Sequence, residues 1–124
     1  MLVVMKNNSK NMLLSARPAL LMSGSTHGDE YLNIEDRLPE ELLKLSLNKS
    51  TVSDFLNRGG VFIFIPILNP DGYDHRNREN SHGVDLNRDW DVPPAGFKGF
   101  HEVETNDLAR KLSELWETKA GAKA

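Results

Sequence analysis

The sequence predicts an α/β fold, a mixed β-sheet with flanking helices. Three observations carry that expectation. Apolar runs at 2–6, 19–23 and 61–68 are short and strand-like. Segments with helix starts and stops separate them, and a long stretch with helical apolar spacing follows the last. Strands alternating with helices belong to layered α/β architectures.

Each element can be argued in order. "LVVMK" (2–6) and "MLLS" (12–15) flank the polar "NNSKN" and read as two short strands around a turn. After Pro18, "ALLMS" (19–23) is nearly all apolar, the pattern of a strand covered on both faces. "GSTHG" breaks that run, and a helical segment is expected from near Asp29. Pro39 suits the first turn of a second helical piece, "PEELLKLSL". "TVSDFLNRGG" reads as a short helix stopped by Gly59 and Gly60. "VFIFIPIL" (61–68) is the strongest strand signal in the chain. No apolar period runs through 69–100, and so long a polar stretch reads as a functional loop. Val103, Leu108, Leu112, Leu115 and Trp116 then mark the core-facing side of an amphipathic helix, and "KAGAKA" frays from its end.

Composition narrows the chemistry. At 124 residues, with 39% hydrophobic and 27% charged residues, the chain suits one globular domain. Its net charge of −3 and lack of a Lys/Arg-rich run speak against nucleic acid as a partner. No apolar run reaches the ~20 residues of a membrane span, so no membrane partner is expected. "MLVVMKNN" has no basic segment leading a long apolar one, as a signal peptide would. A cytoplasmic location is the expectation. There is no cysteine, so any metal must be held by imidazole and carboxylate groups, a set suited to zinc.

Two constellations carry chemistry. His27 and Glu30 in "SGSTHGDEYLN" lie three apart, just past a predicted strand, where α/β sheets collect ligands. His101 and Glu104 repeat the spacing with no strand before them. Either pair is a metal-ligand pair or a solvated helix start whose Glu suits the helix dipole. The second constellation is "NPDGYDHRNRENSHGVDLNRDW" (69–90), at the end of the strongest strand. Arg76, Arg78 and Arg88 stand there among Asn77, Asn80 and Asn87. Such guanidinium forks and amides grip a carboxylate, or else pair with the loop's own acids.

In order, "HGDE", "FIPILNPDGY" and "RENSHGVDLNRDW" resemble the zinc metallocarboxypeptidases of the carboxypeptidase A type. "HGDE" and "GVDLNR" are especially similar to the bacterial branch that includes murein peptide amidases. "ARPALLMSGSTHGDE" resembles the strand leading to that family's ligand pair, and "FHEVETNDLARKL" resembles its "FSEPET" helix start. The resemblance covers nearly the whole chain.

It implies roles residue by residue. His27 and Glu30 match the first two zinc ligands. Asp85 matches the aspartate bonded to the ligand histidine, and Arg78 the arginine that polarises the scissile carbonyl. Asn87 and Arg88 match the pair that grips the substrate's terminal carboxylate. His75 and His82 have no counterpart and are expected to face solvent, and Trp90 is expected to pack. The family's third zinc ligand and its general-base glutamate have no counterpart in the 124 residues. The expectation is therefore a partial zinc-carboxypeptidase-like domain over 1–124, truncated, that binds zinc weakly or not at all and is inactive alone. The implied reaction is removal of a C-terminal residue from peptides or murein peptides, and a complementing chain or domain is a possible partner. Two alternatives are a carboxylate-binding remnant without catalysis and an N-acyl amino acid deacylase of a related branch.

Overall fold

The computed structural model describes residues 1–5, 17–30, 34–91 and 98–117, without the side chains of 34–36 and 116–117. Among the described residues three strands form one mixed sheet. Strands β1 (Leu2–Met5), β2 (Ala19–Ser23) and β3 (Val61–Ile65) lie in the order β1-β3-β2. β1 runs antiparallel to β3, with Leu2 opposite Phe64, and β2 runs parallel to it, with Ala19 opposite Val61. β3 is the central strand and every one of its residues is buried.

Its two faces are covered by different helices. On one side Phe62 packs with Leu42 of α1 (Ile34–Leu47) and Leu56 of α2 (Thr51–Asn57). Val61, Ile63 and Ile65 face α4 (Val103–Glu117), meeting its Leu108, Leu112 and Leu115. Ser50 begins α2 through a capping box with Ser53. Gly59, at φ +89°, turns the chain out of it into β3.

Several expectations need correction. β2 is not covered on both faces: Leu20 and Leu21 are 48% and 44% exposed. It is an edge strand among the described residues, paired with β3 alone. The segment after His27 is a turn, and one helix (α1) begins at Ile34, carrying Pro39 inside it rather than in a first turn. The 61–68 run leaves the sheet at Pro66, which has no N–H to donate. The long polar loop contains a six-residue helix, α3 (Pro70–His75), and a 3-10 turn, Leu86–Arg88. Val103 is 61% exposed and lies off the buried side of α4. The strand expected at 12–15, the fraying end and the Trp116 side chain fall outside what is described.

The polar loop is tied to the sheet. Past the strand ends the β2 and β3 chains stay together, with Gly24 N–H on the Ile65 carbonyl at 2.9 Å and Asn69 N–H on the Ser25 carbonyl at 3.1 Å. Gly28 then meets the start of α3 so closely that a Cβ on it would sit 2.0 Å from the Gly72 carbonyl carbon. Only glycine permits that approach. It brings the "HGDE" turn and the "NPDG" helix into one unit.

Candidate metal and carboxylate site

His27 sits on this junction with its side chain only 11% exposed. The Glu30 N–H bonds its carbonyl at 3.2 Å, closing a turn that brings the two side chains together. Nδ1 lies 3.1 Å from Glu30 Oε1 and Nε2 lies 3.0 Å from Asp85 Oδ1. An imidazole that donates from Nε2 to Asp85 turns its Nδ1 lone pair toward the Glu30 carboxylate. Two electron-pair donors facing one another suit a cation. The imidazole–carboxylate pair is the kind of donor set that zinc takes.

Asp85 ties His27 to the polar loop. Its Oδ1 also accepts the Asn87 N–H at 2.9 Å, starting the 3-10 turn, and Oδ2 accepts from Arg78 Nε at 3.1 Å. Burial pushes the Asp85 carboxyl up, but the Asn87 N–H, His27 and Arg78 outweigh it and hold the group below its ordinary range. Arg78 Nη1 lies 3.8 Å from Glu30, so the guanidinium bridges both acids of the site. Asn69, fully buried, caps α3 through the Gly72 N–H at 2.9 Å and donates to the Arg78 carbonyl at 3.3 Å. That role for the "N" of "NPDG" was hidden in the sequence, because its partner lies nine residues on.

Asn87 and Arg88 reach the site through the backbone. Both are exposed beside Asp85, with Leu86 between them and Asp85, fully buried against Ile65, Leu68 and Leu108. Arg88 donates to the Asn87 carbonyl at 3.2 Å, and no carboxylate among the described residues pairs with it. A guanidinium so placed can receive an acidic ligand.

The other histidines are placed differently. His75 is exposed and bonds the Asp71 carbonyl in its own helix. His82 is exposed as expected, yet its ring meets the buried Glu102 at 2.7 Å, a contact that sequence spacing could not reveal. His101 pairs with Asp89 and lies apart from the His27 contacts. Among the described residues no group of three His, Asp or Glu side chains is arranged to hold a metal. The sequence also gave no sign of Asp89, whose carboxylate is buried at the start of α4.

The profile of the zinc carboxypeptidase family (peptidase M14) matches residues 1–122. The chain belongs to that family. It is similar to carboxypeptidase SOL1 of Arabidopsis thaliana, at 34% identity over 95 residues, covering 72% of this chain and 18% of the relative. It is also similar to the inactive metallocarboxypeptidase ECM14 of Ajellomyces capsulatus (strain NAm1 / WU24), at 30% identity, covering 83% of this chain and 22% of that protein. In fold it is similar to the carboxypeptidase A of Helicoverpa armigera, with a TM-score of 0.61 at 21% identity, covering 91% of this chain and 37% of that one. The chain thus spans about a fifth of the two curated relatives' length.

Proposed function

We propose that this zinc carboxypeptidase-family chain supplies the first ligand pair and the carboxylate-gripping turn of a hydrolase acting on the C-terminal residue of peptides or murein peptides. The observation that carries the reading is His27 held between Glu30 and Asp85, with Arg78 on the outer oxygen of Asp85. His27 and Glu30 would hold zinc, which when bound polarises a carbonyl and activates water. Asp85 fixes the His27 ring, and Arg78 offers a guanidinium to charge that develops on a nearby oxygen. Arg88, with Asn87 beside it, receives a terminal carboxylate.

The fit to zinc is partial. A catalytic zinc takes three protein ligands and a water, and the described residues supply two. No catalytic step through the metal is therefore assigned to the chain alone; a third ligand and a base would come from further polypeptide. This partial fit also favours a second reading, in which the 124-residue chain binds carboxylate-ended peptides without turning them over.

Activity and binding test both. With zinc added, the chain alone is expected to show no hydrolysis of a C-terminal peptide substrate. Weak, salt-sensitive binding of peptides with a free C-terminus is expected, and amidating that terminus should weaken it. Turnover abolished by a chelator would overturn the non-catalytic reading. Binding indifferent to both amidation and salt would overturn the carboxylate-gripping role.

A further inference from the structure

We propose that Asp89 is a positioning residue that fixes Asn87 and Arg88 at the carboxylate end of the site by fastening their turn to the start of α4. The inference rests on the reading above, in which Arg88 receives a terminal carboxylate. It adds a residue that touches neither ligand nor metal.

Asp89 follows Arg88 directly and is 3% exposed. Its Oδ1 accepts from the His101 backbone N–H at 3.0 Å and lies 3.1 Å from the His101 ring nitrogen. Its Oδ2 accepts from the Glu102 N–H at 2.9 Å and from the Thr105 hydroxyl. His101 and Glu102 lead directly into α4 and Thr105 lies in its first turn, so this carboxylate, brought from elsewhere in the chain, caps the entry to the helix. Here that cap is also the end of the turn carrying Asn87 and Arg88. The Asp89 main chain is held as well, its N–H on the Leu86 carbonyl at 3.2 Å and its carbonyl accepting from Phe100 at 2.8 Å.

The turn is therefore fastened at three points. Asp85 joins it to His27 and Arg78, Leu86 inserts into the core, and Asp89 joins it to α4. Only the side chains of Asn87 and Arg88 are left exposed. Arg88 stands between the second point and the third. If the Asp89 side chain lets go, Asp85 and Leu86 still hold the front of the turn, while beyond Arg88 only the two main-chain bonds of Asp89 remain. Asp89→Asn is suited to this. Both oxygens of Asp89 face donors, and an amide keeps one oxygen while turning its own N–H groups on the donors facing the other.

The test is amide hydrogen exchange of the full chain, read residue by residue. In Asp89→Asn, exchange at Asn87 and Arg88 should rise about tenfold or more beyond any loss of protection that the amides of β3 share. Unchanged exchange at Asn87 and Arg88 would overturn the proposal. So would an equal loss across β3, which would make Asp89 a general stability residue. If Asp89→Asn does not fold, Thr105→Val removes a single donor to Asp89 and should give a smaller rise at the same two amides; no rise would overturn it. A binding arm tells this proposal from the reading beneath it, using an acetylated dipeptide and its amidated form. Preference for the free acid should be lost in Arg88→Ala and reduced about tenfold in Asp89→Asn. Loss in Arg88→Ala with full retention in Asp89→Asn would overturn the positioning role. Indifference to Arg88→Ala would overturn the carboxylate reading instead, and the exchange result would then decide whether Asp89 positions the turn.

Discussion

His27 with Glu30 and His101 with Glu104 share one spacing and have opposite fates. The first pair lies in a turn closed by its own backbone hydrogen bond, and its side chains meet at 3.1 Å. The second lies where loop becomes helix, and each member is claimed from elsewhere. Asp89 takes the His101 ring at 3.1 Å, and Asn80 donates to Glu104 Oε1 at 3.3 Å. Glu104 Oε2 is buried with no hydrogen-bond partner among the described residues. The His27 side chain is 11% exposed against 70% for His101. Spacing sets which side chains are able to meet. The neighbours brought up by the sheet decide which do.

The largest effect that would break this contrast concerns zinc. His27→Ala should abolish whatever zinc binding the chain has, and His101→Ala should leave it within twofold, by calorimetric titration. Tight zinc that survives His27→Ala would mean that other residues are the ligands.

The two supporting aspartates sharpen it next. Asp85→Asn should cost about 10–100-fold in zinc affinity while the chain stays folded, because it removes the partner that orients the His27 ring. Asp89→Ala should leave zinc affinity alone but lower folding stability by about 2 kcal/mol, through lost caps and buried bonds. Urea unfolding beside zinc titration of both variants would check the division. Equal losses of zinc affinity would end the distinction between the pairs.

A smaller effect is expected with pH. Burial pushes the Asp85 and Asp89 carboxyls up, but the hydrogen bonds each accepts outweigh it and both end below their ordinary range. Glu102 is held down chiefly by the Asn80 amide and then the His82 ring. A depressed carboxyl contributes stability that is complete above the unfolded value and disappears as pH falls through the folded one. The urea midpoint should therefore hold nearly level down to about pH 5 and fall below about pH 4, where unfolded carboxylates titrate. Asp89→Asn should flatten that fall, and an unchanged acid limb would remove Asp89 from the account.

The smallest expected effect is on the glutamates. Glu104→Gln should not alter zinc binding, whereas Glu30→Gln should weaken it, though less than His27→Ala does. Equal responses in the titration would return both pairs to the same standing.

The sequence by itself determined the α/β class, a strand within the 61–68 run, the amphipathic helix that carries Leu108, Leu112 and Leu115, and the donor types at His27 and Glu30. These follow from local period, from capping and stopping residues, and from the absence of cysteine. Through the motif resemblance, it also singled out Asp85 as the partner of His27. Only the tertiary structure decided that "ALLMS" lies at a sheet edge among the described residues, since an apolar run looks the same beside one neighbour as beside two. It alone set Gly28 against Gly72, Asn69 beneath Arg78, and Asp89 at the start of α4. These pairings depend on strand order and on how far each connection carries the chain, and local spacing encodes neither. The polar loop stood out in the sequence because it carries charge without period. Its fastening points did not, because their partners lie on other elements: Asp85 Oδ1 meets His27 across 58 residues of chain.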